Sequence, residues 1–242
     1  MNPVLHFPVL NSTNAYAKTH AQELADGTVV CADEQTAGRG RFDRVWVSQP
    51  GGLYFSLLLK PQQTAYLQNL TQLMAVSVCQ AVRELGADAH LKWPNDVLVN
   101  EQKICGILSE AVLKQNRFYA LVLGVGINVN QNSLPDVGRP AATLKNLGIP
   151  ADKSALLNRV LTLFNARLKN ALTQGFAAFA ADYKNRFPYL GKTVSITSGG
   201  QKLFGVADNI SSAGTLVVKM PEGLREFSIG DMNACILQKA RP

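Results

Sequence analysis

The chain has 242 residues, 47% of them hydrophobic, and a formal charge of +7, which is room for one large domain or one domain with a small appendage. Its longest apolar runs, such as Phe118 to Leu123, fall well short of a membrane span, and Met1-Asn2-Pro3-Val4 lacks the basic and apolar regions of a secretory signal. Cys31, Cys79, Cys105 and Cys235 are scattered without a Cys-x-x-Cys pair, and His6, His20 and His90 stand apart, so a disulfide framework, a zinc site and a locally encoded triad are all disfavoured and a reducing, cytoplasmic setting is expected.

Asn11-Ser12-Thr13-Asn14 supplies capping side chains ahead of Ala15 to Ala25, with Gly27 as a stop, and predicts a first helix. Thr28 to Ala32 and Leu53 to Leu59 are β-rich runs on either side of Gln35-Thr36-Ala37-Gly38-Arg39-Gly40-Arg41, with Arg44 and Trp46 just beyond. Glycine lets a backbone approach a ligand, and arginine offers forked donors that match carboxylate and phosphate oxygens. This is the chain's one tight cluster of positive charge, which favours a discrete anion site held by Arg39 and Arg41 over a broad nucleic-acid surface; a solvated basic turn is the other reading.

Leu67, Leu70, Leu73, Met74, Val78, Ala81, Val82 and Leu85 recur at helical spacing up to Gly86 and predict a buried helix. From Leu91 the pattern turns to strands. Val97-Leu98-Val99 and Ile104 to Val112 flank Asn100-Glu101-Gln102 as a hairpin, and Phe118 to Val129 is a further long strand. Gly124-Val125-Gly126 within it is a poor dinucleotide fingerprint, because Val129 takes the third glycine position and no helix signal follows. Leu156, Leu157, Val160, Phe164, Leu168 and Leu172 define a second long helix, and Phe176 to Phe187 a shorter one ending before Pro188. Lys192 to Thr197, Lys202 to Ile210, Thr215 to Met220, Leu224 to Ile229 and Asn233 to Leu237 are short strands at close intervals, expected to make a small antiparallel barrel. A boundary is placed near Phe187, giving domains 1–187 and 188–242.

Several polar residues admit plain structural readings. Ser12 and Thr13 serve as helix caps, Gly106 as a strand packing point, Lys103 as a solvated lysine at a hairpin end, Trp46 as a core side chain, and Lys92-Trp93-Pro94-Asn95-Asp96 as a tight turn before Val97.

Taken in order, Ser12-Thr13-Asn14, Gln35 to Arg41 with Arg44 and Trp46, Lys92 to Asp96, Lys103 with Gly106-Ile107-Leu108 and Glu110, and Gly124-Val125-Gly126-Ile127-Asn128 resemble the biotin–protein ligases over nearly the whole chain. The resemblance implies an α+β fold: a mixed β-sheet flanked by helices, like the class II synthetases, with a small C-terminal SH3-like barrel. It implies formation of biotinyl-5′-adenylate from biotin and magnesium ATP, then transfer of biotin to a lysine of the biotin carboxyl carrier domain of acetyl-CoA carboxylase. Ser12, Thr13, Asn14 and Gln35 are thereby expected at the biotin ring, Gly38, Gly106 and Leu108 along its slot, and Arg39, Arg41 and Lys103 at the reacting carboxylate and phosphates. Arg41, Arg44, Trp46, Lys92, Asn95, Asp96 and Asn128 are expected around ATP, with Trp46 on the adenine and Asn128 and Asp96 at Mg²⁺.

A homodimer through sheet edges is common among such ligases. Some also carry an N-terminal helix-turn-helix domain that binds operator DNA; with Ser12 so near the start, that activity is not expected here. Many have glycine where this chain has Asp43, which tolerates left-handed backbone and is expected to keep the turn, its charge either weakening anion binding nearby or pairing with Arg44. Lipoate or octanoate ligation on the same fold is the nearest alternative. A nucleic-acid binder is a distant one, since six lysines and arginines against four carboxylates from Phe187 onward leave little charge, with no aromatic strip.

Overall fold

The computed structural model describes residues 2–136 and 138–234. Two sheets organise it. The larger has seven strands in the order β1-β2-β3-β7-β6-β5-β4, formed by Val4–Leu10 (β1), Val29–Gln35 (β2), Leu53–Leu59 (β3), Ala89–Lys92 (β4), Asp96–Val99 (β5), Gln102–Lys114 (β6) and Arg117–Ile127 (β7). Only β1 and β2 run parallel; the other neighbours are antiparallel, so the sheet is mixed as expected. Two hairpins build its centre. Asn100 and Glu101 turn β5 into β6, and Gln115 and Asn116 turn β6 into β7, all four with φ between 50° and 60°.

Side-chain alternation divides this sheet into two apolar faces. Val30, Leu58, Ala120 and Val122 point toward Ala17 of helix α1 (Thr13–Thr19) and the neighbouring Ala21. Their sequence neighbours Val29, Cys31, Leu57, Leu59, Leu121 and Leu123 point the other way, into the main core under helix α2 (Asn69–Glu84). Leu70, Leu73, Met74 and Val78 of α2 are fully buried between the sheet and α3 (Lys153–Gln174). Asp152 caps α3 by accepting from Ala155 N at 2.7 Å, and Gly175, at φ +63°, ends it. The expected short helix is a 3₁₀ turn over Gly175–Phe179 followed by α4 (Ala180–Lys184). Helix α1 is shorter than expected: regular structure stops at Thr19 and turns carry the chain to Gly27.

The second sheet is antiparallel, in the order β11-β10-β9-β8-β12, from Thr193–Ser198 (β8), Gln201–Ile210 (β9), Leu216–Met220 (β10), Gly223–Phe227 (β11) and Asp231–Ala234 (β12). Among the described residues the unit is a five-stranded antiparallel sheet in which no ladder joins β11 to β12. The part of the last expected strand beyond Ala234, with Cys235, lies outside the described residues. Val194, Ile196, Leu216, Val218 and Met232 of this sheet join the same apolar cluster as α2. Polar ties reinforce the junction: Asn69 Nδ2 donates to Ala213 O at 2.9 Å, and Gln72 Nε2 and Trp93 Nε1 donate to Gly214 O at 2.8 and 3.2 Å.

Candidate active site

The α1 face of the sheet is only partly covered by α1. Beyond Leu58 and Val122, the same alternation brings Ser56, Gly124 and Gly126 to that face, and the β6–β7 register sets Glu110 beside Val122, Leu108 beside Gly124 and Gly106 beside Gly126. Glycine floors the opening because nothing larger fits. A Cβ at Gly124 would run into Asn14 Oδ1, and one at Gly126 into Trp46 Nε1. The resulting cavity has a volume of about 710 Å³, within the range of small-molecule sites.

Ser12, Thr13, Asn14, Gln35, Arg39, Arg41, Arg44, Trp46, Asn95, Asp96, Lys103, Gly106, Leu108 and Asn128 all line this one cavity. Two expected residues do not. Gly38 lies behind the wall, where a Cβ would press on Trp46 O and Ser48 Oγ, so its part is to let the loop close on itself. Lys92 is outside the lining and joins the two sheets by donating to Asn233 Oδ1 of β12 at 2.9 Å; burial pushes its pKa down, against the pull of Asp96.

The inner end is a hydrogen-bonded wall. Ser12 caps α1, accepting from Ala15 N at 3.3 Å, which makes the plain reading correct while the residue also faces the cavity. Gln35 Oε1 accepts from Thr13 N at 2.8 Å, and Gln35 Nε2 donates to Ser48 Oγ at 2.8 Å. Asn14 Nδ2 donates to Glu110 Oε2 at 2.7 Å, and Lys18 Nζ to Glu110 Oε1 at 2.5 Å.

The outer end is charged. The arginine loop is a tight hairpin in which Trp46 N donates to Gly38 O at 2.9 Å and Gly40 N to Arg44 O at 2.7 Å. Phe42 and Asp43 make its tip with φ of 57° and 55°, so aspartate does sustain the left-handed turn. Its ion pair is not with Arg44 as expected: Asp43 Oδ1 lies 3.7 Å from Arg39 Nη1 on the exposed side of the loop. Arg44 turns inward to Asp231 of β12, which also lies 3.5 Å from Arg139 and 3.8 Å from Arg41. Burial alone would raise the Asp231 carboxyl, but these arginines hold it below the usual carboxylate range. Arg41 is the inward-facing arginine. It donates to Asn95 Oδ1 at 3.1 Å and Gly230 O at 3.2 Å, and burial draws its pKa down against the opposing pull of Asp231 and Asp96.

Lys103 owes its position to an irregularity. The β5–β6 register slips between Val97 and Leu98, pairing Leu98 with Lys103 but Val97 with Cys105, so one extra residue bulges β6. Strict alternation would put Lys103 on the face opposite Gly106. The bulge instead lets its chain lie over Gly106, with Nζ 2.7 Å from Asp96 Oδ1 and 5.3 Å from the Trp46 ring centre. Trp46 thus rests on the glycine floor with a cation above it. Asp96 and Asn128 present a carboxylate and an amide oxygen to the same cavity, and among the described residues no group of three or more His, Cys, Asp and Glu side chains gathers as a metal site. Two hard oxygen donors suit Mg²⁺ that keeps water and phosphate ligands; they do not make a dedicated protein cage.

The charged residues of the lining without an expected role are Asp231, Arg139, Lys18 and Glu110. Glu110 stood inside a motif, whereas Asp231 and Arg139 reach the cavity only through the fold and have no local signal.

A sequence profile described as the Biotin/lipoate A/B protein ligase family matches residues 6–128, and one described as the Biotin protein ligase C terminal domain matches residues 189–233. The chain is 35% identical over 240 residues to the "Bifunctional ligase/repressor BirA" of Bacillus subtilis, covering 95% of this chain and 73% of that protein. It is 34% identical over 235 residues to the "Biotin--[acetyl-CoA-carboxylase] ligase" of Mycobacterium tuberculosis, covering 91% and 85%. Among solved structures, the biotin protein ligase of Aquifex aeolicus in complex with biotin and ATP superposes with a TM-score of 0.86 at 33% identity, covering 97% of this chain and 99% of that one. On cavity, fold and relatives together, the chain belongs to the biotin/lipoate A/B protein ligase family.

Proposed function

We propose that this protein is an ATP-dependent biotin–protein ligase that activates biotin as biotinyl-5′-adenylate and passes it to a lysine of a biotin carboxyl carrier protein. The observation that carries the reading is a single cavity with a hydrogen-bonding wall of Ser12, Thr13, Asn14 and Gln35 at one end and Arg41 and Lys103 at the other. Such a site takes an uncharged polar ring inward and brings a carboxylate to meet a phosphate outward.

The first step needs that meeting. Two unit negative charges about 4 Å apart repel by about 4 kcal/mol at an effective dielectric constant of 20. Arg41, Lys103 and the more exposed Arg39 offset this repulsion, and they stabilise charge on the α-phosphate as the biotin carboxylate oxygen attacks and pyrophosphate leaves. Ser12, Thr13, Asn14 and Gln35 hold the ring, with Gly106 and Leu108 along the slot. Arg44, Asn95 and Asp96 belong with the nucleotide, as does Trp46 through its aromatic face. Asp96 and Asn128 would hold Mg²⁺, which neutralises phosphate charge when bound. In the second step the carrier lysine attacks the acyl carbon and AMP leaves. The catalytic unit is residues 1–187 and the C-terminal unit 188–242, joined through the Lys92 and Asp231 contacts. A cytoplasmic setting accords with free, buried Cys31, Cys79 and Cys105, whose thiols burial pushes up to about 12 for the first two and higher for the third.

The test is biotin transfer to a recombinant carrier domain, read by streptavidin blot. Label that requires Mg-ATP and the acceptor lysine is expected. Lipoyl or octanoyl label in place of biotin would move the protein to the lipoate branch of the same fold.

A further inference from the structure

Large apolar side chains stand exposed at the border of the cavity. Phe42 is 57% exposed, Val45 77% and Ile229 61%. Val45 belongs to the lining; Phe42 and Ile229 do not, although Phe42 follows Arg41 and Ile229 lies two residues before Asp231, both of which line it. The arginine loop and the second domain meet here in one hydrogen bond, Arg41 Nη2 to Gly230 O at 3.2 Å. Phe42 is one residue from its donor and Ile229 one residue from its acceptor. Building on the ligase reading, we propose that Phe42 and Ile229, with Val45, form the docking shoulder for the acceptor protein, which presents its lysine beside large apolar side chains that pack there.

Phe42 is an unusual choice for a loop tip. Its φ of 57° and ψ of 42° lie in the left-handed region, where a bulky side chain is a true outlier and glycine or asparagine would make the same turn more easily. Such strain gathers at functional positions. The guanidinium carbons of Arg41 and Arg44 lie 4.8 and 5.5 Å from the ring centre, so the ring is held in place while more than half of it stays in water. A fixed aromatic ring with an exposed surface is the kind of anchor that dominates protein interfaces.

What covers the shoulder follows from the second step of the reaction. The acceptor is a protein, and its lysine has to reach the acyl carbon at the Arg41 and Lys103 end of the cavity. Its surface therefore comes to rest on whatever borders the mouth. Biotin and ATP have no need of Phe42 or Ile229, which lie outside the lining, and Trp46 already offers an aromatic face within it. Contiguous exposed apolar groups beside a polar site mark a place for another protein. The chain's charge of +7 suits an acceptor whose apolar patch is set among carboxylates.

Phe42→Asn tests the proposal, since asparagine accepts the left-handed backbone and removes the ring. With biotin and Mg-ATP saturating, the KM for a recombinant carrier domain should rise about tenfold, as expected for losing the burial of one large apolar side chain. Biotin-dependent pyrophosphate exchange, and capture of the adenylate by hydroxylamine, a nucleophile too small to dock, should stay within about twofold of wild type. Ile229→Asn, on the other domain, should show the same split, and it decides the matter alone if Phe42→Asn does not fold. Phe42→Tyr keeps the ring and should keep the wild-type KM. An unchanged carrier KM in the asparagine variants, or a tyrosine variant as poor as asparagine, would overturn the proposal. So would an equal loss of hydroxylamine capture, which would set Phe42 over the nucleotide. A wild-type dimer that Phe42→Asn dissociates while the carrier KM holds would give the shoulder to a second copy instead. Wild-type protein that puts no biotin on the carrier would overturn the ligase reading beneath it.

Discussion

Lys103 and Arg41 show how much of this chemistry rests on single side chains placed against their surroundings. Lys103 is three-quarters buried and paired with Asp96, so it is more than the solvated lysine that its sequence context allows. Lys103→Ala should lower the rate of adenylate formation by about 10²-fold or more, the usual cost of a donor aimed at transition-state charge. Asp96 then loses its partner, so a thermal melt should fall by only a few degrees, about 1–3 kcal/mol. Activity within about threefold of wild type would remove Lys103 from the reaction. Arg39 and Arg41 separate in the same way. Arg41 is anchored on Asn95 and Gly230, while the Arg39 side chain is 70% exposed beside Asp43. Arg41→Ala should therefore destabilise the unliganded protein by about 1–2 kcal/mol, and Arg39→Ala by less than about 0.5. Denaturation curves without ligand check both.

The strands explain why the site is where it is, and which parts of it could be read beforehand. The arginine loop suggested an anion site by its residue types, whereas Ser12 to Asn14, Gln35 and Lys103 were legible only through the ordered set of motifs that resembles the biotin–protein ligases. The central hairpins and both long helices were legible from apolar period and turn residues. The β1 edge strand was not: Val4 and Val9 are half-exposed, Pro8 interrupts it, and no periodic stripe marks it. Nor could sequence show that a bulge re-aims Lys103, since a register slip is settled by the partner strand. Asp231 and Arg139 were invisible because their meaning depends on a strand more than 90 residues away in sequence. The glycine floor yields its own prediction. Gly126→Ala sets a methyl group against the Trp46 indole and should displace the ring, with loss of nucleotide affinity and little change in melting temperature. Retained ATP affinity would show that Trp46 does not need its bed on β7.

At the scale of the whole molecule, the two sheets are held together by apolar packing and by charges that also border the site. Asp231 brings the second sheet to Arg41, Arg44 and Arg139, so the small domain helps to set the arginine loop even though it lines little of the cavity. Its depressed carboxyl pKa makes this link pH-dependent. A group held below its unfolded value adds stability that is fully present above that value, about 3.9 for aspartate, and is lost as pH falls through the folded value beneath it. Asp231→Asn should accordingly melt lower than wild type at neutral pH, and the gap should close as pH falls below about 4. A gap that stays constant with pH would mean that the arginines do not depend on the Asp231 charge.

The central claim is that one cavity activates biotin with ATP, and biotin-dependent exchange of labelled pyrophosphate into ATP tests it most directly, because it needs no acceptor protein. Exchange that requires biotin and magnesium, that lipoate does not support, and that Lys103→Ala abolishes is the result expected. Folded protein that exchanges no label with biotin, or exchanges it only with lipoate, would contradict the account.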